Sequence, residues 1–114
     1  MTFLISMTEL RLSGETARVF DGFQYDDTNV SFFLIDAPPG EGPSLHSHPY
    51  EEIFVIQAGE VTFTVGDATI EATGGQIVIA PAGIPHKFVN SGKTLLRSIN
   101  IHPTSRMITE WLED

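Results

Sequence analysis

Residues 40–59 read GEGPSLHSHPYEEIFVIQAG, and this stretch decides the fold. Its second half, Ile53-Phe54-Val55-Ile56, is a short aromatic and β-branched run that stops at Ala58-Gly59-Glu60, the composition of a strand ended by a turn. Its first half places His46 and His48 two residues apart, with Glu51 and Glu52 just beyond. In an extended chain, residues i and i+2 project from one face, so both imidazoles point the same way. Glu52 shares their parity and Glu51 does not. Pro49-Tyr50 interrupts the register, so parity gives Glu52 only a small advantage.

Outward from this stretch the same pattern recurs. Val30–Ile35 runs into Ala37-Pro38-Pro39-Gly40, Val61–Val65 alternates and stops at Gly66-Asp67, and Thr69–Ala72 is cut by Gly74-Gly75. Gln76–Ile79 reaches Ala80-Pro81-Ala82-Gly83, which suits a type I turn with Pro second and Gly fourth. Lys87–Val89 and Leu95–His102 follow. Short strands about every ten residues with Gly or Pro between them predict one all-β sandwich or barrel. Residues 1–29 are expected to supply N-terminal strands. Met7 is a candidate start residue, and Met1–Ser6 otherwise reads as part of an edge strand. At the other end, Met107, Ile108, Trp111 and Leu112 form one apolar stripe at helical spacing, which predicts a short C-terminal helix over 105–113.

The 114 residues suffice for one domain, 1–114. A net charge of -9 argues against nucleic acid or an anionic membrane surface as partner, and no apolar run is long enough for a membrane helix. The absence of cysteine excludes disulfides, thiolate catalysis and iron–sulfur ligation. Phe3-Leu4-Ile5 is too short for a secretory core, so a cytoplasmic protein is the simplest expectation.

The chain has four histidines. His86 lies on a later strand, just after the Pro-Gly turn, where it can meet His46 and His48 across the sheet. Three imidazoles and one carboxylate suit manganese, iron, zinc, nickel, cobalt or copper, and disfavour the all-oxygen ions calcium and magnesium. On a six-coordinate ion, four such ligands leave two positions for substrate, water or dioxygen. Four tetrahedral ligands on zinc would leave none, and the role would then be structural.

At this point the sequence resembles a cupin. The motif G-x5-H-x-H-x3-E-x6-G is met by Gly40, His46, His48, Glu52 and Gly59, and the motif G-x5-P-x-G-x2-H-x3-N by Gly75, Pro81, Gly83, His86 and Asn90. The first motif occupies 40–59 and the second 75–90, with fifteen residues between them. The resemblance implies a jelly-roll (double-stranded β-helix) barrel holding one divalent transition metal on His46, His48, Glu52 and His86, and it selects Glu52 over Glu51. Gly59 is expected at positive φ in a hairpin turn, and Asn90 as a structural hydrogen-bonder.

If Glu52 faces the lumen, Phe54 and Ile56 line it while Ile53 and Val55 face outward and need cover. Cupins commonly pair through such surfaces, so the resemblance and the alternation together predict a homodimer. His102 lies outside both motifs. Its preferred reading is a surface histidine at a strand end before Pro103. An inward even face would instead bring Asn100 and His102 to the cavity mouth. His102 and Tyr50 are thus the candidate catalytic proton-transfer groups. Tyr50, Phe32 and Phe88 are candidate walls, with core packing preferred for the two phenylalanines, and the odd-numbered Lys87 and Arg97 are not placed in the lumen.

The resemblance implies a mononuclear metal-dependent enzyme acting on a small molecule, by dioxygenase-like cleavage, isomerisation or decarboxylation. Two other roles fit the same pattern: a non-enzymatic barrel that binds or senses a small ligand, and a structural metal barrel.

Overall fold

The computed structural model describes residues 3–113. Eleven strands run as β1 (Arg11–Ser13), β2 (Ala17–Phe20), β3 (Ser31–Ala37), β4 (His46–Ser47), β5 (Glu52–Ala58), β6 (Glu60–Val65), β7 (Ala68–Thr73), β8 (Ile77–Ala80), β9 (His86–Asn90), β10 (Leu96–His102) and β11 (Glu110–Trp111). They form two antiparallel sheets, ordered β1-β2-β3-β10-β5-β8 and β11-β4-β9-β6-β7. The all-β expectation is met, and the helical content among the described residues is two 3₁₀ turns, Met7–Glu9 and Gly22–Gln24. No helix of the described residues is long and apolar enough to cross a membrane. The expected N-terminal strands appear as β1 and β2. Phe3–Ser6 carry no strand, and Met1 and Thr2 lie outside the described residues.

The alternation read from β5 holds. Glu52, Phe54 and Ile56 are buried between the sheets, while Ile53 and Val55 are half-exposed on the outer side. Phe54 meets Phe63 of β6 and Phe88 of β9 with ring centroids 4.8 and 5.9 Å apart, so one aromatic cluster bridges the two sheets below the histidines. Burying such rings away from water supplies the main stabilisation of a small sandwich. In β10 the inward set is Leu96, Ser98, Asn100 and His102, all 3% exposed or less.

Three local expectations need correction. The segment 105–113 is extended rather than helical: β11 pairs with β4, with Glu110 opposite Ser47 and Trp111 opposite His46. An isolated two-turn helix is unstable without packing, whereas the free edge of β4 offers unpaired backbone groups. Leu112 N–H accordingly donates to Leu45 O at 2.9 Å, and the stripe is left exposed, with Ile108 at 57% and Trp111 at 60%.

Gly59 has the expected positive φ of +94°, but it turns a corner between β5 and β6 in different sheets rather than closing a hairpin. A Cβ there would meet Leu95 O at 2.7 Å, so the corner needs glycine twice over. The Pro-Gly turn is shifted by one residue. Ile84 N–H bonds Pro81 O at 3.2 Å and Gly83 has φ +76°, which places glycine third, as in a type II turn. The freed Gly83 N–H donates to His48 O at 2.8 Å, which ties the loop before His86 to the stretch carrying His48.

Candidate metal centre

His46 and His86 sit opposite each other where β4 pairs with β9. His48 follows β4 by one residue, and Glu52 opens β5, paired with Ala80 of β8. All four are buried, and one ligand atom from each lies within 4.8 Å of the others. His46, His48, Glu52 and His86 therefore converge at one point.

The hydrogen bonds settle what those atoms present to one another. His46 Nδ1–H donates to Ser44 O at 2.7 Å, His48 Nδ1–H to Ile108 O at 2.8 Å and His86 Nδ1–H to Ile84 O at 3.1 Å. A carbonyl oxygen only accepts, so each Nδ1 carries the ring proton. In the neutral rings every Nε2 is then a lone-pair donor aimed inward. The Nε2 atoms of His48 and His86 both lie 3.0 Å from Glu52 Oε1. Lone pair facing lone pair at that distance demands a second proton on a ring or a cation in the middle. The donor set thus fits a divalent transition ion: nitrogen and oxygen ligands, correct tautomers, and a spread close to the roughly 4 Å that separates opposite ligands of one ion. Burial lowers the pKa of His46, which keeps that ring a neutral ligand. For Glu52, burial pushes the carboxyl up, but the facing imidazoles of His102, His48 and His86 override it and hold the group far below the ordinary carboxylate range.

His102 is where the preferred reading fails. It is 2% exposed, not a surface residue. Its Nε2 lies 3.2 Å from Glu52 Oε2, outside hydrogen-bond alignment, so this buried nitrogen has no hydrogen-bond partner among the described residues. Its Nδ1 is 2.8 Å from Tyr50 Oη, which in turn accepts from Ile108 N–H at 3.1 Å. Tyr50 Oη can donate or accept at Nδ1, whereas Glu52 Oε2 only accepts, so the tautomer with the proton on Nε2, opposite to the other three, suits both neighbours. Tyr50 is half-buried, and burial raises its pKa, which keeps the phenol protonated.

Beside the centre lies a cavity of about 270 Å³. Phe33, Ile35, Ala17, Ala37 and Phe88 wall it, Asn100 and His102 reach it from β10, and Trp111 stands at its mouth, 4.9 Å from the His46 ring. Phe88 packs in the core, the preferred reading, and also walls the cavity, while Phe33 takes the place of Phe32 there. The partners in the register are Asn100 with Phe33 and His102 with Ser31, so the odd residues of β3 face inward. Phe32 instead stacks on Phe20 at 4.8 Å. Tyr50 stacks on the His48 ring, with centroids 5.3 Å apart, and bonds His102 and the C-terminal segment. Lys87 and Arg97 stay outside, paired with Glu113 and Asp36 at 3.3 and 2.9 Å. Asn90 is structural: its Nδ2 donates to Ala37 O and Thr94 O, both at 2.8 Å.

Sequence reasoning missed Phe33, Trp111 and the backbone carbonyls that set the tautomers. The alternation of β3 carried a signal for Phe33, but nothing local placed Trp111 over His46.

Comparison with known proteins agrees with this geometry. A protein of Streptomyces coelicolor described as uncharacterized is 33% identical over 60 residues, which is 53% of this chain and 55% of that protein. Among solved structures, the oxalate decarboxylase of Lactobacillus farciminis in complex with formate superposes with a TM-score of 0.81 at 21% identity, over 93% of this chain and 34% of its own. The Bacillus subtilis oxalate decarboxylase at pH 4.6 gives 0.81 and 21%, over 93% and 30%. The chain spans about a third of the length of those enzymes, and the likeness is one of fold. The cupin domain family profile (Cupin_2) matches residues 33–102, more than half of the chain. The protein therefore belongs to the cupin family.

Proposed function

We propose that this cupin holds one divalent transition metal on His46, His48, Glu52 and His86 and uses the cavity beside it to act on a small molecule. The observation that carries this reading is the tautomer lock: three Nε2 lone pairs and a carboxylate oxygen directed at one buried point. A bound ion would supply Lewis acidity, with two positions left for substrate if six-coordinate. The chain's own residues do the rest. Ser44, Ile108 and Ile84 orient the ligands through their carbonyls, and Phe33, Ile35 and Phe88 keep the cavity apolar. His102 holds a proton on Nε2 beside Glu52, with Tyr50 behind it. Manganese, iron, cobalt, nickel, copper and zinc all suit the donor set.

Elemental analysis of the purified protein tests the reading, with about one ion per chain expected. His86→Ala should lose most of it while keeping the β-sheet circular dichroism, because the Phe54–Phe63–Phe88 contacts remain when the imidazole is removed. Unchanged stoichiometry in His86→Ala and in His48→Ala would overturn the assignment.

The same reading includes a homodimer. On the outer face of the longer sheet, Ile53 and Val55 pair with Ile79 and Ile77, and with Ile101 and Ile99 on the other side. Ile77 and Ile79 are 64% and 57% exposed, so this apolar band is open to a second copy. Light scattering at micromolar concentration should give twice the monomer mass, and a monomer would count against the pairing.

A further inference from the structure

Resting on the metal reading, we infer that the cavity selects a small uncharged molecule with an apolar body and an oxygen handle, such as a ketone, a diketone or a phenol, and rejects dicarboxylates too long to chelate the metal through both ends. The argument begins with the cations. None of the six Lys and Arg residues lines the cavity. Arg11 is paired with Asp21, Lys87 with Glu113 and Arg97 with Asp36, while Arg106 lies over the Phe23 ring. Arg18 points toward the carbonyls of Thr8 and Leu10. The charged groups that do line the cavity, apart from the imidazoles, are Glu52 and Glu41.

A dicarboxylate too long to chelate through both ends, such as succinate, could give one carboxylate to the metal, and the other would then lie against Phe33, Ile35 and Phe88 with no Lys or Arg to meet it and Glu41 nearby. Burying an unpaired charge in that way is strongly unfavourable. The overall charge of -9 also repels anions on approach. A cationic ligand is disfavoured in turn by the metal itself.

The remaining polar feature fits a neutral oxygen. Ser98 Oγ donates to Asn100 Oδ1 at 2.8 Å, which orients the amide so that its Nδ2 is left to donate. Asn100 is 3% exposed and lines the cavity next to His102, so that donor is available to a carbonyl or hydroxyl group beside the metal. The volume of about 270 Å³ corresponds to roughly nine waters, which limits the ligand to a compact molecule.

The test uses the full chain loaded with one equivalent of cobalt(II), whose visible absorption reports ligands joining the metal. Acetylacetone and succinate are titrated separately, and cobalt retained after gel filtration is measured for each. Acetylacetone should change the spectrum with cobalt retained, and succinate should do so at least about tenfold more weakly. Asn100→Leu should weaken acetylacetone and leave cobalt stoichiometry unchanged. Phe33→Arg, which puts a cation on the wall, should shift the preference toward succinate. Equal or tighter binding of succinate to the unaltered protein, or acetylacetone that only strips cobalt, overturns this inference while leaving the metal centre intact. Failure to take up cobalt at all overturns the metal reading and this inference with it.

Discussion

Replacing His102 by leucine removes the group that faces the outer oxygen of the Glu52 carboxylate. When an ion takes the Nε2 lone pairs of His48 and His86, those rings no longer bond Oε1. His102 Nε2–H, 3.2 Å from Oε2, is then the nearest side-chain donor left to the carboxylate among the described residues. Partners of this kind are worth 10- to 100-fold in metal affinity. The contact misses hydrogen-bond alignment, so the lower end applies: His102→Leu should weaken zinc binding about tenfold, near 1.4 kcal/mol. Tyr50 bonds His102 Nδ1 at 2.8 Å and takes Ile108 N–H at 3.1 Å, beside the carbonyl that orients His48. Tyr50→Phe alone should therefore cost less, and less again once His102 is leucine. His102→Gln, which keeps an N–H donor, should recover part of the affinity. Competition against a fluorescent chelator gives the four dissociation constants, with circular dichroism confirming the fold. Fully additive effects of the two substitutions, or unchanged affinity in folded His102→Leu, would refute the chain Tyr50–His102–Glu52.

Gly42→Ala should destabilise by about 2–3 kcal/mol in urea, because its Cβ would run into the backbone carbonyl of Phe88, which no rotamer change relieves. Asn90→Leu leaves the Ala37 and Thr94 carbonyls and the Gly92 N–H without their partner, and should cost about 3 kcal/mol by the same measurement. Acid should destabilise the metal-free protein below about pH 4.5. The folded pKa of Glu52 lies far below the ordinary 4.5, so the unfolded chain binds that proton first and stability is lost as pH falls from there. Thermal melts between about pH 5 and 2.5 test the sign, and a melting temperature that rises on acidification over that range would contradict it.

Of the four candidate ligands, His46 and His48 were legible from local geometry, while Glu52 and His86 were selected by the cupin motifs. His46 and His48 share a face by strand parity alone, and the Gly and Pro positions that shape the turns around Glu52 and His86 are set by backbone conformation. The inward row Glu52, Phe54 and Ile56 follows from the same alternation. Parity, however, says which residues share a face and not which face is inside. For β10 that was decided by register against β3 and β5, and it turned His102 from a surface residue into the neighbour of Glu52. The same register chose Phe33 over Phe32. The C-terminal segment is a second case. Its apolar spacing suits a helix, but hydrogen bonding to the open edge of β4, more than sixty residues away, outweighed a local preference too weak to hold two turns. Side-chain spacing along one strand is a property of the chain; the pairing of distant edges, and the carbonyls that fix each imidazole tautomer, exist only once the two sheets have closed.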